Sequence, residues 1–181
     1  APATMTLMGL GTLPSSNEYS LGMLGMHGMY EANLAMHECD VMINIGARFD
    51  DRVTGRLDAF SPNSKKIHID INASNINKNI KVDVPIVGDI ENIMNQMLEV
   101  WKKNKFSTNK KDISDWWQKI DEWKKIDCLK FEQTGEIIKP QLAIKRLYEL
   151  TKEKNTIITT EVGQHQMWAA QYYKFEEPNK W

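Results

Sequence analysis

One stretch of the sequence combines residues that bind phosphate and sugar groups. Gly46–Gly55 reads Gly-Ala-Arg-Phe-Asp-Asp-Arg-Val-Thr-Gly and directly follows an apolar run. Glycine lets a ligand approach the backbone, and arginine offers paired donors for phosphate oxygens. Asp70 ends the next apolar segment, where a carboxylate can accept hydrogen bonds from ribose hydroxyls. The full glycine fingerprint of dinucleotide-binding folds does not occur, so a tight turn held by Arg-Asp pairs is an equally good interpretation.

Two further stretches could contact ligands. Glu161–Trp168 lies at a predicted strand-to-helix junction, where free backbone donors favour a phosphate group and Gln164 and His165 add side-chain donors. An ordinary helix start is the alternative interpretation. The glycine- and methionine-rich segments Thr6–Gly11 and Leu24–Gly28 permit close backbone approach. Methionine packing around glycine turns is the favoured interpretation of these segments on residue types alone.

The elements that must position these residues alternate along the chain. Residues 39–46 predict a buried strand, residues 66–71 a second strand, and residues 84–88 a third whose Pro85 favours a sheet edge. Residues 28–38 predict a helix, and Asp89 is a natural N-cap for a strongly amphipathic helix after it. Strands that alternate with helices indicate an α/β fold with a parallel sheet.

The second half of the chain has a different pattern. Residues 102–130 mix charged residues with tryptophans at helical spacing, which indicates a connecting helix with one buried face. Pro140 opens another predicted helix over residues 139–153, residues 156–160 predict a strand, and a helix is expected from Gly163 to Tyr173. We therefore predict three parts: a central domain over residues 1–105, a connecting segment over 106–135, and the start of another α/β domain over 136–181.

Composition excludes several classes of function. The 23 basic and 24 acidic residues give a net charge of -1, which offers no electrostatic attraction to nucleic acid or an anionic membrane. Cys39 and Cys128 do not form a disulfide framework, and we expect packed or inert thiols. The four histidines show no metal-ligand spacing. No signal peptide is visible, and we interpret the sequence as an internal fragment of a longer chain.

Six segments together resemble the acetolactate synthase (acetohydroxyacid synthase) catalytic subunit family of thiamine-diphosphate enzymes. They are TLMGLGTLP at 6–14, LGMLGMHG at 21–28, IGARFDDRVTG at 45–55, IHIDIN at 67–72, VPIVGDI at 84–90 and VGQHQMWAAQYY at 162–173. The resemblance implies a Rossmann-like, FAD-carrying central domain followed by the opening of a domain that binds thiamine diphosphate. It covers nearly the whole chain except the lysine-rich segment 102–135.

The resemblance also assigns site residues. Those expected to contact FAD are Thr6, Leu7, Leu24, Gly25, Met26, His27, Gly46, Ala47, Arg48, Phe49, Asp50, Asp70, Ile71, Asp89 and Ile90. Val162, Gly163, Gln164 and His165 match residues that hold thiamine diphosphate. Met26, Asp51 and Arg52 match the substrate channel, where the family's herbicides also bind. The activating glutamate is expected upstream of this chain and the Mg²⁺ ligands beyond Trp181, so no catalytic or metal residue is expected within it.

The implied reaction decarboxylates pyruvate and transfers the two-carbon unit to a second pyruvate or to 2-oxobutanoate, in branched-chain amino-acid synthesis. A homodimer or homotetramer with a possible small regulatory subunit is expected, in the cytoplasm if the source is bacterial and in the plastid if it is a plant or alga. Two alternative functions belong to different classes, one enzymatic and one not. One is a related pyruvate oxidase or glyoxylate carboligase, against which the segment Asp50–Gly55 argues. The other is a nucleotide-binding scaffold without activity.

Overall fold

The computed structural model describes the backbone of residues 1–181 and every side chain except those of Lys110 and Asp112. The chain forms two compact units, which are described separately. One unit consists of Ala1–Leu34 and Asp121–Trp181, and the other is Ala35–Ile120. All strand pairs in the described chain are parallel, which confirms the predicted α/β class. The predicted domain boundaries at residues 105 and 135 stay a prediction.

The unit Ala35–Ile120 contains a three-stranded parallel sheet. Its strands are β3 (Val41–Ile45), β4 (Lys65–Asp70) and β5 (Val84–Val87), in the order β3-β4-β5. The short helix α2 (Asp51–Thr54) and the long helix α3 (Ile90–Lys103) follow β3 and β5. Pro85 lies in an edge strand, where its missing N–H costs no ladder hydrogen bond, as the sequence predicted.

The central strand β4 has buried residues on both faces of the sheet, and those on one face are polar. Lys66, His68 and Asp70 alternate along β4 and are all buried, because Phe49 and Phe60 of the loop after β3 pack over this side of the sheet. The opposite side carries Val41, Ile43 and Ile45, which the register of β3 on β4 places together.

The prediction that β3 is buried is therefore wrong. Val41, Ile43 and Ile45 are 50%, 50% and 45% exposed. The other face of β3 carries the buried Asn44 and the partly buried Met42, so β3 is covered on one face only. An apolar run cannot distinguish a strand that is covered on two faces from one that is covered on a single face.

Helix α3 begins as the sequence predicts. The carboxylate of Asp89 accepts a hydrogen bond of 3.1 Å from the backbone N–H of Asn92 and so caps the helix. Lys102 and Lys103 lie in its last turn, where positive charge complements the helix dipole. None of its residues is buried, however, and Leu98 is 51% exposed.

The charged and tryptophan-rich segment contains helix α4 (Ser114–Lys124). Ile120 is fully buried and Trp116, Trp117 and Trp123 are half-buried, so the predicted helix with one buried face is confirmed. Helix α1 (Tyr30–Glu38) likewise falls inside the range predicted for it.

The other unit pairs two short parallel strands with two helices. Its elements are β1 (Ala3–Met5), β2 (Ser20–Met23), α5 (Pro140–Thr151) and α6 (Gln164–Tyr172). Its core is formed by Met5, Leu10, Met23, Ala170, Tyr173 and Phe175. Pro140 opens α5 and Gly163 immediately precedes α6, as predicted.

The predicted strand at residues 156–160 is not formed. A strand requires a neighbour to pair with, and the described chain offers this segment only isolated contacts, such as a 2.8 Å hydrogen bond from Ile158 N–H to the carbonyl of Lys180. Local sequence favours a strand here, because Thr156, Ile157 and Ile158 are β-branched, but it does not provide a partner strand.

In the described part of the chain, no helix has the length and apolar character needed to cross a membrane.

Candidate functional site

Three chain segments leave the sheet side by side at the carboxyl edge of β3, β4 and β5. The backbone N–H of Gly46 donates to the carbonyl of Ile69 at 2.8 Å, and that of Gly88 donates to the carbonyl of Asp70 at 3.1 Å. These bonds continue the ladders past the strand ends. Ligands of open parallel sheets bind at this edge, so the predicted residues of this unit are brought together where a ligand is expected.

Gly46 is constrained by both its conformation and its surroundings. Its φ is +68°, in the left-handed region that favours glycine. A Cβ at this position would lie 3.1 Å from Cδ1 of Ile90. Asn44 fixes the turn, since its side-chain amide donates to the carbonyl of Ala47 at 2.7 Å and accepts from the N–H of Ala47 at 3.2 Å. Glycine at position 46 is therefore favoured by its conformation and by the close approach of Ile90.

Arg48 and Phe49 point in different directions from this turn. Arg48 is exposed and pairs with Asp50 at 2.7 Å, which holds the guanidinium near the sheet edge. Phe49 is buried, and its ring packs edge-on against His68 with centroids 5.1 Å apart. Asn79 donates to the carbonyl of Phe49 at 2.9 Å. Arg48 can thus reach an anionic ligand, while the Phe49 side chain fixes the loop.

Asp70 is a buried carboxylate at the end of β4. One oxygen accepts from the N–H of Asn72 at 2.7 Å, and the other accepts from the side-chain amide of Asn75 at 3.0 Å. Nε2 of His68 lies 3.8 Å from Asp70, and neither ring nitrogen of this buried histidine has a hydrogen-bond partner in the described structure. Each Asp70 oxygen retains a lone pair and can still accept a hydrogen bond from a ribose hydroxyl. Ile71, which follows, is 71% exposed.

The Asp51–Arg52 pair at the start of α2 is a surface contact. The guanidinium of Arg52 lies 3.5 Å from the carboxylate of Asp51, and the two side chains are 69% and 79% exposed. A pair so exposed contributes less than about 1 kcal/mol to stability. This is the geometry of a surface ion pair, and the assignment of Asp51 and Arg52 to a substrate channel stays a prediction.

In the other unit, the segment Leu24–Gly28 forms a tight loop directly after β2. The N–H of Gly28 donates to the carbonyl of Gly25 at 2.9 Å, and a Cβ at Gly28 would lie 2.4 Å from the carbonyl oxygen of Met23. Met26 is 64% exposed, whereas Met23 belongs to the core. Met8 of the segment Thr6–Gly11 is 77% exposed, so the favoured interpretation of methionine packing is wrong for the methionines of both segments, and their contact with a ligand stays a prediction.

Thr6 and Leu7 lie at the end of β1 in the same unit. The Thr6 hydroxyl caps a short 3-10 turn over Leu7–Gly9 by accepting from the N–H of Gly9 at 3.2 Å. Leu7 packs partly buried against the core of this unit. The side chain of Thr6 therefore already has a structural role.

Helix α6 begins without a side-chain cap. Gly163 is its N-cap residue and supplies no side-chain acceptor, and the preceding Val162 is 81% exposed. A Cβ at Gly163 would lie 2.9 Å from Cε1 of His165, so glycine allows the imidazole to fold over the helix start. Unsatisfied N–H groups of a first helical turn attract anions, which suits a diphosphate group near Gln164 and His165.

Among the described side chains, no three or more His, Cys, Asp or Glu residues lie together as a possible metal site. Burial raises the pKa of the half-buried Cys39 thiol. Cys128 is exposed and accepts a 3.4 Å hydrogen bond from the N–H of Tyr30, so this thiol is not packed, and its inertness stays a prediction.

Sequence reasoning missed the amide side chains that fix the loops. Asn44 in the turn after β3 is one, and Asn33 and Gln171, which both bond to the Leu24–Gly28 loop, are two more. Asn44 was detectable, because it is the one amide within the apolar run of residues 41–45. Asn33 lies in a helix with no distinguishing pattern, and Gln171 lies in the family segment at 162–173, of which the resemblance assigns a role only to residues 162–165.

The chain belongs to the family of thiamine pyrophosphate enzymes, whose central-domain model matches residues 1–97. It is 46% identical to the acetolactate synthase isozyme 3 large subunit of Escherichia coli over 180 residues, which is 99% of this chain and 31% of that protein. Acetolactate synthase 1, chloroplastic, of Nicotiana tabacum is 48% identical over 99% of this chain and 27% of its own length.

A third relative is archaeal. The probable acetolactate synthase large subunit of Methanocaldococcus jannaschii is 44% identical over 98% of this chain and 30% of its own length. The chain therefore spans less than a third of the length of each of these curated relatives.

Proposed function

We propose that the polypeptide containing this chain is an acetolactate synthase. It decarboxylates pyruvate and transfers the two-carbon unit to a second pyruvate or to 2-oxobutanoate, the first common step of valine, leucine and isoleucine synthesis. The observation that carries the proposal is identity of 44–48% to acetolactate synthases through 98–99% of the chain. Because the chain spans about 31% of the length of the bacterial relative, the activity is proposed for the whole polypeptide.

Thiamine diphosphate is proposed to bind at the start of α6 through Val162, Gly163, Gln164 and His165. The uncapped first turn of this helix supports the proposal, because its backbone donors suit a diphosphate. When bound, this cofactor stabilises the negative charge that develops on carbon as pyruvate loses carbon dioxide. The residues of the chain orient it through its diphosphate.

FAD is proposed to bind at the carboxyl edge of the β3–β4–β5 sheet. Gly46 offers close backbone approach, Arg48 offers donors for a phosphate, and Asp70 accepts from a ribose. Flanking residues complete the set assigned to this edge: Ala47, Phe49, Asp50, Ile71, Asp89 and Ile90. A separate group in the other unit keeps the same proposed role: Thr6, Leu7, Leu24, Gly25, Met26 and His27.

Arg52 is proposed to meet the pyruvate carboxylate, with Asp51 orienting its guanidinium, and Met26 to line the substrate channel. A forked guanidinium suits a carboxylate, and the exposure of Arg52 leaves it free to reach one. The Mg²⁺ ligands and the activating glutamate are proposed to lie in other parts of the full-length polypeptide, which correspond to regions of the relatives that this chain does not span. No catalytic residue is proposed within the chain itself.

The assembly and location are proposed from the relatives. Two of them are named large subunits, which supports a small regulatory subunit. A homodimer or homotetramer of catalytic subunits is proposed from the family resemblance. The relatives include bacterial and chloroplastic proteins, so the cytoplasm is proposed for a bacterial source and the plastid for a plant or algal source.

Product analysis with the purified full-length enzyme tests the function. With pyruvate, thiamine diphosphate, Mg²⁺ and FAD, the enzyme is expected to form acetolactate, and an additional acetohydroxybutyrate product when 2-oxobutanoate is present. Acetyl phosphate or acetate as the product would indicate a pyruvate oxidase, and turnover of glyoxylate alone would indicate a carboligase. The 181-residue chain by itself is expected to form no acetolactate, and measurable turnover by it would contradict the assignment of the glutamate and Mg²⁺ ligands to other regions.

A further inference from the structure

Two amide side chains hold the Leu24–Gly28 loop at the two residues that flank Met26. Asn33 of α1 accepts from the N–H of Gly25 at 2.7 Å and donates to the carbonyl of Gly25 at 2.9 Å. Gln171 of α6 donates to the carbonyl of His27 at 2.9 Å across 144 residues of sequence. Met26 is therefore carried between two fixed points while its own side chain is exposed.

The helix that supplies Gln171 is firmly anchored. Ala169, Ala170 and Tyr172 are buried, and Tyr173 at its end packs in the core of the unit. Gln171 lies seven residues after Gln164, which is about 10 Å along a helix that rises 1.5 Å per residue. A rigid helix of this length connects its uncapped first turn directly to the loop that carries Met26.

We propose that Gln171 is a positioning residue that ties the Met26 loop to the helix whose first turn takes thiamine diphosphate. The inference rests on the proposed function and adds a residue that the family motif does not assign. The amide of Gln171 fixes the distance between the diphosphate end of α6 and the methionine that faces the substrate. A small displacement of such a loop weakens the productive placement of substrate without removing any group that touches it.

A matched pair of variants in the full-length enzyme tests this inference. Gln171→Met keeps the length of the side chain and removes its donor, whereas Gln171→Lys keeps a donor on a flexible chain. Gln171→Met is expected to lower kcat/KM for pyruvate about three- to tenfold, the effect of one lost hydrogen bond, with the affinity for thiamine diphosphate unchanged. Gln171→Lys is expected to recover much of that loss. Lys174→Met, at an exposed position just after the helix, is expected to behave as wild type.

A double-mutant cycle with Met26→Ala separates positioning from a general packing effect. If Gln171 acts through the loop, Gln171→Met is expected to add little once Met26 is truncated. Equal losses of kcat/KM with and without Met26, or a Gln171→Met variant with wild-type kinetics, would overturn the proposal.

Hydrogen exchange gives a readout that does not depend on activity. The amide of Gly28, which donates within the loop, is expected to exchange faster in Gln171→Met than in wild type, whereas amides inside α5 are expected to be unchanged. An enzyme that makes no acetolactate but shows this local change would refute the proposed function and leave the loop contact intact. Unchanged Gly28 exchange in an enzyme that makes acetolactate would refute the positioning role alone.

Discussion

At the carboxyl edge of the β3–β4–β5 sheet the polar side chains are engaged with neighbouring groups, whereas the first turn of α6 has no side-chain cap. Asn44 holds Ala47, Asp70 accepts from Asn72, and Asp89 caps α3. Gly163 provides no such contact at the start of α6. The sheet edge is therefore organised before a ligand binds, whereas no side chain caps the backbone donors at the helix start.

This difference predicts different responses to mutation. At the sheet edge, removing an exposed ligand contact should cost cofactor affinity and leave folding intact, since the loops are held by other residues. At the start of α6, even a small change of shape should alter binding, since the glycine and the imidazole above it share the same space.

The largest effect is expected for Arg48→Ala. Loss of one charge-assisted phosphate contact should weaken FAD binding about ten- to a hundredfold, or about 1.5–3 kcal/mol. The melting temperature of the apoprotein should change little, because Arg48 is 65% exposed. Flavin titration of the purified variant measures the effect.

Arg56→Ala provides the matched control for that variant. Arg56 pairs with Asp58 two residues later, as Arg48 pairs with Asp50, and both arginines are largely exposed, at 78% and 65%. Arg56 is not assigned to the flavin. Equal loss of FAD in both variants would show that net charge, rather than a specific phosphate contact, determines binding, and would remove Arg48 from the site.

A smaller effect is expected for Arg52→Ala. If the guanidinium binds the pyruvate carboxylate, kcat/KM for pyruvate should fall about tenfold or more, while flavin content and thermal stability stay near wild type. The alternative is a surface ion pair without a kinetic role. Wild-type pyruvate kinetics in this variant would refute the channel assignment.

Much of this arrangement could be predicted from sequence where the signal is local. The N-cap of α3 at Asp89, the edge position of Pro85 and the glycine before α6 each follow from the residue itself and its close neighbours. The segment at residues 156–160 and the exposure of β3 were predicted wrongly, because pairing and covering depend on residues far away in sequence. The contact of Gln171 could not be predicted for the same reason, because its partner His27 is 144 residues away in sequence.

The next smaller effect is expected for Gly163→Ala, which changes only the shape of the helix start. The new Cβ would meet the ring of His165 at 2.9 Å, and a flexible side chain can move away at small cost in stability. The displaced imidazole should weaken binding of thiamine diphosphate about three- to tenfold, as for one lost hydrogen bond. Calorimetric titration measures this affinity, and a tighter or unchanged affinity would count against the helix start as the diphosphate site.

The smallest effect is expected at Asp83, just before β5. The backbone N–H of Lys66 donates to its carboxylate at 2.9 Å and, with Lys65, lowers the pKa of Asp83 below its ordinary value of 3.8. The stabilisation is fully present above that ordinary pKa and is lost as the pH falls through the lower folded-state pKa. Asp83→Asn should therefore flatten the pH dependence of stability below about pH 4. Parallel acid-unfolding curves for the two proteins would exclude this contribution.

The most direct test of the account measures both cofactors in both variants. FAD and thiamine diphosphate are titrated against wild type, Arg48→Ala and Gly163→Ala of the full-length enzyme under the same conditions. Arg48→Ala is expected to lose affinity for FAD alone, and Gly163→Ala is expected to lose affinity for thiamine diphosphate alone. Loss of the opposite cofactor in either variant, or unchanged affinity for both cofactors in both variants, would contradict the assignment of the sheet edge to the flavin and of the helix start to the diphosphate.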